Sequence, residues 1–329
     1  MITVLQPGML ASIQDQGRPG LRHLGVGRSG ALDGLSLSIG NALVGNPPGA
    51  AGLELTLPPA QFRFESACLV ALTGAHCPAQ LDGSSVGAGR AIAVGAGQTL
   101  RLGEARAGAR AYLCVAGGID VAPVLGSRST DLQAHIGGLE GRALRKGDRL
   151  AVGPAGQPIA RESPRAHGDA AGAPPAVVRL PDPGGAIRVL PGPEFDEFAD
   201  LAREAFLRSV WTVAPQSNRM GFRLQGPALG RTNSRDLNSH AVFPGLVQVP
   251  PGGAPILLMA DAQATGGYPR IASVIAADLW RVAQVRPGGA VSFELASREQ
   301  AQGASQRQYR YLSRMQDGLD AHRSQRRSG

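Results

Sequence analysis

Residues 254–283, APILLMADAQATGGYPRIASVIAADLWRVA, decide how the rest of the chain is read. The apolar run 256–259 has the length and composition of a buried strand. Directly after it come Asp261, Gln263, Thr265, Gly266, Gly267, Tyr268, Pro269 and Arg270. A carboxylate, an amide, a hydroxyl and a phenol on a strand-ending glycine turn can be held in a cleft by rigid scaffolding. Gly266-Gly267 either supplies positive φ or lets a ligand approach the backbone closely. A second apolar run, 271–277, follows, and Asp278 opens a short helical turn through Gln284. A polar hairpin loop with no ligand is the plainer reading of the same residues. Composition alone leaves both open.

Outward from this stretch the chain is β-rich. Its 329 residues suffice for two domains of ordinary size. Glycine (46) and proline (25) are above average usage but short of a low-complexity composition. Apolar runs are brief and separated by Gly, Pro and Asn, the pattern of short strands joined by turns. They fall at 2–5, 10–14, 53–57, 62–64, 68–73, 80–81, 91–94, 99–102 and 111–115. Even spacing of this kind predicts a barrel or sandwich over residues 1–152. Residues 153–186 are rich in Pro, Ala and Gly and read as a linker. A second unit, 187–297, carries the opening stretch. Its expected strands lie near 187–190, 211–213, 222–224, 242–249 and 291–295. Residues 194–207 place Phe195, Phe198, Leu201, Ala202, Ala205 and Phe206 on one helical face. The two units also rhyme: VLQPG then IQDQGRPGLRHLG is echoed by VLPGP then APQSNRMGFRLQG, which hints at a duplicated barrel.

Charge and composition exclude several functions. The net charge of +8 is unevenly spread: residues 298–329 hold seven arginines against three acids, half of the total. A basic Arg/Gln-rich tail, helical or disordered, is a solvated face more often than a phosphate binder, and no nucleic-acid motif accompanies it. Lys146 is the only lysine and is followed by Gly147, so there is no phosphate-binding GxxxxGK[ST] loop and no carrier lysine for biotin. The six histidines show no metal-binding spacing, and no GxSxG elbow is present. Gly25-Val26-Gly27-Arg28-Ser29-Gly30 formally matches GxGxxG. It follows no buried strand, so a turn feeding a helix at 32–43, with Asp33 in its first turn, is the better reading. Cys68, Cys77 and Cys114 lack paired spacing and read as buried thiols. No run is long enough to span a bilayer, and the N-terminus has no leader signature, so a cytoplasmic protein is expected.

Six segments together resemble the allophanate hydrolase subunit 2 family, which also supplies subdomains A and B of biotin-dependent urea carboxyltransferases. They are IQDQGRPG (13–20), SGALD (29–33), LCVAGGIDVAPVLGSRST (113–130), VLPGPEFDEF (189–198), QSNRMGFRLQG (216–226) and ADAQATGGYPRIASVIAADLWRVAQ (260–284). Within the family the wording DAQ-x-TGGYPRI is most similar to the branch that supplies the C subunit of 5-oxoprolinase. The resemblance implies a mainly β fold with a few short helices, arranged as two cyclophilin-like β-barrel subdomains. It implies ATP-dependent opening of 5-oxo-L-proline to L-glutamate, with ATP and Mg present in the complex and no biotin on this chain. It also implies two partner proteins, one of the allophanate hydrolase subunit 1 type (the B component) and a third, A component. Without them the chain is expected to be inactive. The proposed route phosphorylates the lactam oxygen, turning an unreactive amide carbon into an attackable one. Ala241 and Ala264 depart from common family wording but remove no ionisable group. The tail after Ser297 lies outside the resemblance.

On that basis Asp261 is expected to bind the lactam N–H, act as a base or hold the Mg²⁺ of the nucleotide. Arg219 would grip a phosphate or carboxylate in bidentate fashion, with Asn218 beside it. Tyr268, Gln248 and Gln263 would orient the amide, and Thr265, Gly266 and Gly267 would offer backbone N–H groups to an anion. Asp15, Arg18, Ser127, Arg128 and Thr130 are secondary candidates that equally suit holding turns or an interface with a partner. No protein-built metal site is expected. Two other functions share the resemblance: a carboxyltransferase for urea or another amide, and a regulatory antagonist of a kinase inhibitor.

Overall fold

The computed structural model describes residues 1–155, 178, 183–233 and 235–328. The expected linker 153–186 lies for the most part outside the described residues. Two compact units emerge: Met1–Gly17 with Asp33–Pro181 and Arg310–Gly329, and Arg18–Leu32 with Asp182–Tyr309.

In the first unit two antiparallel sheets share one core. One runs in the order Arg149–Leu150, Ile2–Gln6, Ala60–Phe64, Thr99–Leu102, Ala79–Leu81 and Ser84–Val86. The other runs Leu10–Gln14, Gly52–Thr56, Ala107–Val115, Cys68–His76 and Ala91–Val94. Alternation in the sequence becomes alternation in space: Val4, Phe62, Phe64 and Leu100 from one sheet meet Ile13, Leu53, Val70 and Leu113 from the other. Each such side chain, once buried, contributes about 1.5–3 kcal/mol.

Helix α1 (Gly34–Leu43) begins where Asp33 caps it. The Asp33 carboxylate accepts from the Ser36 N–H at 2.8 Å and from the Ser36 hydroxyl at 2.6 Å. The helix is buried from Leu35 to Leu43 and lies hard against the sheet. A Cβ on Gly40 would sit 2.6 Å from the Cys114 Sγ, so only glycine permits this approach. Beneath it the Tyr112 hydroxyl donates to Glu54 at 2.6 Å and accepts from the Asp33 N–H at 2.8 Å. The GxGxxG segment is no dinucleotide fingerprint. A 3₁₀ turn, Arg22–Leu24, precedes it, and Gly25 closes that turn in the left-handed region.

The second unit is built on one eight-stranded sheet: Ala290–Val291, Trp211–Val213, Gly221–Gln225, Ile256–Leu258, Leu246–Gln248, Arg270–Val274, Ile187–Pro191 and Phe293–Leu295. Its two outermost strands are separated in sequence only by Ser292, so the sheet curls back on itself into a nearly closed barrel. The core holds Val189, Phe206, Trp211, Phe222, Val247, Leu257 and Ile271. Ile187–Pro191 has the same alternating burial as Ile2–Gln6, which gives the sequence rhyme a structural counterpart.

The helix expected over 194–207 is shorter and is broken. A 3₁₀ turn, Phe195–Glu197, gives way to extended backbone at Phe198 and Ala199, and α2 spans Asp200–Arg208. The break rotates the apolar face: Phe198 and Phe206 stay buried, while Leu201 is 80% exposed. Asp278 does open a short helix, α3 (Leu279–Ala283), after a 3₁₀ turn. Its carboxylate receives the guanidinium groups of Arg188 and Arg281. The Arg-rich tail forms α4 (Arg298–Ser328), by far the longest helix among the described residues. No helix among them is long and apolar enough to cross a membrane.

Candidate functional site

The strand Ile256–Leu258 delivers the chain to Asp261, and Gly221–Gln225 pairs alongside it, with Gly221 opposite Leu258. The turn before Gly221 is shaped by Asn218, whose side-chain oxygen accepts the Met220 N–H at 2.8 Å. That turn sends Arg219 inward. Arg219 Nε donates to Asp261 Oδ2 at 2.8 Å and Nη2 to Oδ1 at 3.0 Å, with both side chains at least 96% buried (4% and 2% exposed). The Asp261 N–H returns a bond to the Arg219 carbonyl at 2.9 Å. Arg219 Nη2 also donates to the Gly30 carbonyl at 2.7 Å.

The segment Arg18–Leu32 is thereby fastened to the loop. Ser29 N–H donates to the Ala260 carbonyl at 3.1 Å, and Arg22 Nη2 donates to the carbonyls of Val242 and Gln263. The two residues expected to act separately on a ligand, Asp261 and Arg219, are thus each other's partners. A carboxylate with both oxygens in a guanidinium fork is a weak base and a poor metal ligand.

Polar groups converge instead at Gly266. Thr265–Gly266 pairs antiparallel with His240–Ala241, His240 directly opposite Gly266. A Cβ on Gly266 would stand 3.1 Å from Gln248 Nε2 and 3.5 Å from Gln263 Nε2. The missing side chain therefore lets two carboxamides close on the Gly266 backbone. Gln248 is buried and donates to the Tyr268 carbonyl at 3.3 Å, which fixes its orientation. Gln263 and Thr265 are exposed, and Tyr268 is 46% exposed. Arg270 closes the loop through a fork onto Glu194, and its N–H donates to the same carboxylate at 2.9 Å. Burial works to raise the Glu194 pKa, but the Arg270 side chain and N–H, with a further contribution from His240, outweigh it and hold the carboxyl below its usual range.

The secondary candidates divide. Asp15, Ser127, Arg128 and Thr130 meet in the first unit, where the Asp15 carboxylate accepts from the Ser127 and Ser129 hydroxyls and the Arg128 N–H at 2.6 Å each, and from Gly17 N–H at 2.8 Å. Thr130 bonds the Ile13 carbonyl through both its N–H and its hydroxyl. With so many donors Asp15 acts as a clasp for its turns. Arg18 is buried in the second unit. Sequence reasoning does not single out His240, Glu194 or Arg22, because none stands in a recognisable spacing. Among the described residues no group of three or more His, Cys, Asp or Glu side chains is placed to hold a metal.

A family model described as carboxyltransferase domain, subdomain A and B, matches residues 24–295. The chain belongs to that carboxyltransferase A/B family. Within it, the chain is 48% identical over 315 residues to the C subunit of 5-oxoprolinase from Escherichia coli K12, covering 96% of this chain and 97% of that one. It is 40% identical over 320 residues to the C subunit of 5-oxoprolinase from Haemophilus influenzae, covering 97% and 99%. Among solved structures it superimposes on Kluyveromyces lactis urea carboxylase with a TM-score of 0.85 at 30% identity, covering 97% of this chain and 29% of that one. The mainly β architecture of the carboxyltransferase A/B family is therefore the architecture found here.

Proposed function

We propose that this chain is the C subunit of a 5-oxoprolinase, an enzyme complex that opens 5-oxo-L-proline to L-glutamate at the expense of ATP. The observation that carries this reading is the end-to-end match to the two bacterial 5-oxoprolinase proteins, 97% and 99% of their lengths. The likeness to urea carboxylase spans 29% of that protein. The partners are a B component of the allophanate hydrolase subunit 1 type and a third, A component. The compartment is the cytoplasm, and the isolated chain is inactive.

The site geometry supports handling of an amide. The Gln248 and Gln263 carboxamides can donate to a lactam C=O, and Thr265–Gly267 can present backbone N–H groups to the oxygen where charge develops. Tyr268 is exposed beside this turn. The Arg219–Asp261 pair holds the loop in register. Because Asp261 is engaged by Arg219, the residues do not fit a Mg²⁺ cage, and Mg²⁺ enters with the nucleotide's own phosphates.

ATP-dependent glutamate release from 5-oxoproline by the chain co-purified with its partner proteins tests the reading. Activity in the wild type and its loss in Asp261→Asn and Gly266→Ala support it. No glutamate from the wild-type complex, with turnover of urea on adding bicarbonate and a biotinylated carrier, overturns it in favour of a carboxyltransferase. The urea carboxylase likeness makes that the second reading.

A further inference from the structure

His240 stands opposite Gly266 in the ladder. Residues directly opposite in an antiparallel ladder project their side chains to the same face, and Gly266, opposite His240, projects none. The imidazole thus shares its face with the side of Gly266 that the Gln248 and Gln263 carboxamides approach. Its Nδ1 lies 3.0 Å from the Asn238 carbonyl. A carbonyl can only accept, so Nδ1 carries a proton, and in the neutral ring Nε2 presents a lone pair. Nε2 is buried and, among the described residues, has no hydrogen-bond partner. Buried ring nitrogens are seldom left so, and those that are call for a functional explanation. Glu194, which Arg270 forks onto, is near enough to the ring to interact with it electrostatically.

We infer that His240 Nε2 is the proton acceptor for the N–H of an amide substrate bound at Gly266. This rests on the reading of the site as an amide site. As the lactam oxygen bonds to the γ-phosphorus of a nucleoside triphosphate, the N–H bond breaks and its proton passes to Nε2. The electron pair left on nitrogen forms the C=N bond of an O-phosphorylated imidate, the bond from γ-phosphorus to the bridging oxygen breaks, and nucleoside diphosphate leaves. Imidazolium His240 then carries the proton. Were the substrate instead an amide undergoing N-carboxylation, the same nitrogen would give its proton to the same atom.

The test uses the assembled complex. His240→Asn keeps a donor at the Nδ1 position and removes Nε2. It is expected to lower kcat at least about 10²-fold, the usual contribution of general base catalysis, with KM changed less than about 3-fold. His240→Gly is expected to regain activity on addition of imidazole. In parallel, with histidine ¹⁵N-labelled in this chain alone, 5-oxoproline or urea should move the His240 Nε2 resonance and leave Nδ1 in place. Retained kcat in His240→Asn overturns the assignment, as does an Nε2 resonance indifferent to both amides. A wild-type complex that makes no glutamate counts against the lactam reading alone, and the resonance then decides the role of His240.

Discussion

Removing one member of the Arg219–Asp261 pair tests whether the glycine loop depends on it. The two side chains are 4% and 2% exposed and joined by two hydrogen bonds, so water cannot replace a lost partner. Asp261→Ala leaves a buried guanidinium without its counter-charge. Breaking a buried pair in this way costs about 3–5 kcal/mol. Arg219→Met leaves the carboxylate and also takes the Nη2 donor from the Gly30 carbonyl, a further loss of about 1–3 kcal/mol. At about 2–4 °C per kcal/mol for domains of this size, Asp261→Ala should lower Tm by roughly 6–20 °C. The double variant Arg219→Met/Asp261→Ala removes both charges together and should recover much of that loss, since replacing a buried pair with apolar side chains is often near neutral. Thermal and urea unfolding of the four proteins closes a double-mutant cycle. If either single variant loses under about 1 kcal/mol, or if the two losses simply add, the pair is not the clamp described here.

Three other outcomes are expected. Burial, reinforced by the charges of Glu54 and Asp33, lifts the Tyr112 pKa well above 10. The folded state therefore keeps a proton that the unfolded chain loses, and stability should fall as pH rises above about 10. Tyr112→Phe should flatten that alkaline slope while lowering stability at neutral pH by about 1–3 kcal/mol, because it takes one buried hydrogen bond each from Glu54 and the Asp33 N–H. Opposite in sign, Glu194 and Asp278 are both held below their ordinary values, where burial is outweighed by Arg270 and by Arg188 with Arg281 respectively. Their stabilisation is complete above about pH 4.5 and is lost as pH falls through the lowered values, so Glu194→Gln and Asp278→Asn should each reduce the acid slope of unfolding free energy. Lastly, Gly40→Ala should destabilise by about 1–3 kcal/mol, since its Cβ would overlap the Cys114 Sγ. Cys114→Ala should relieve the clash in part, measured by urea unfolding.

The strands were legible because period-two alternation and glycine punctuation survive directly into the sheets, as Ile2–Gln6 and Ile187–Pro191 show. The Asn218–Gly221 turn and the glycine loop were likewise recognisable from local chemistry. What a linear reading misses is pairing. Asp261 and Arg219, 42 positions apart, each look like a free reagent until the ladder between Gly221–Gln225 and Ile256–Leu258 joins them. His240 carries no local signal because its importance lies in standing opposite a glycine 26 residues later, a register fixed only when the ladder forms. The face of 194–207 was misjudged for a related reason. A helical wheel assumes unbroken rotation, and extended backbone at Phe198 interrupts it.

The assignment of Arg18–Leu32 to the second unit bears on the order in which the protein can assemble. This segment leaves the ribosome early, yet the carbonyls that receive Arg22 lie 220 and 241 residues further on. At synthesis rates of about 5–20 residues per second, it waits roughly 10–50 s for its anchoring points. A nascent chain halted before Val242 should therefore leave this segment open to protease, and one released past Gly266 should bring it under protection. The second unit is closed, in time, by the first residues made for it.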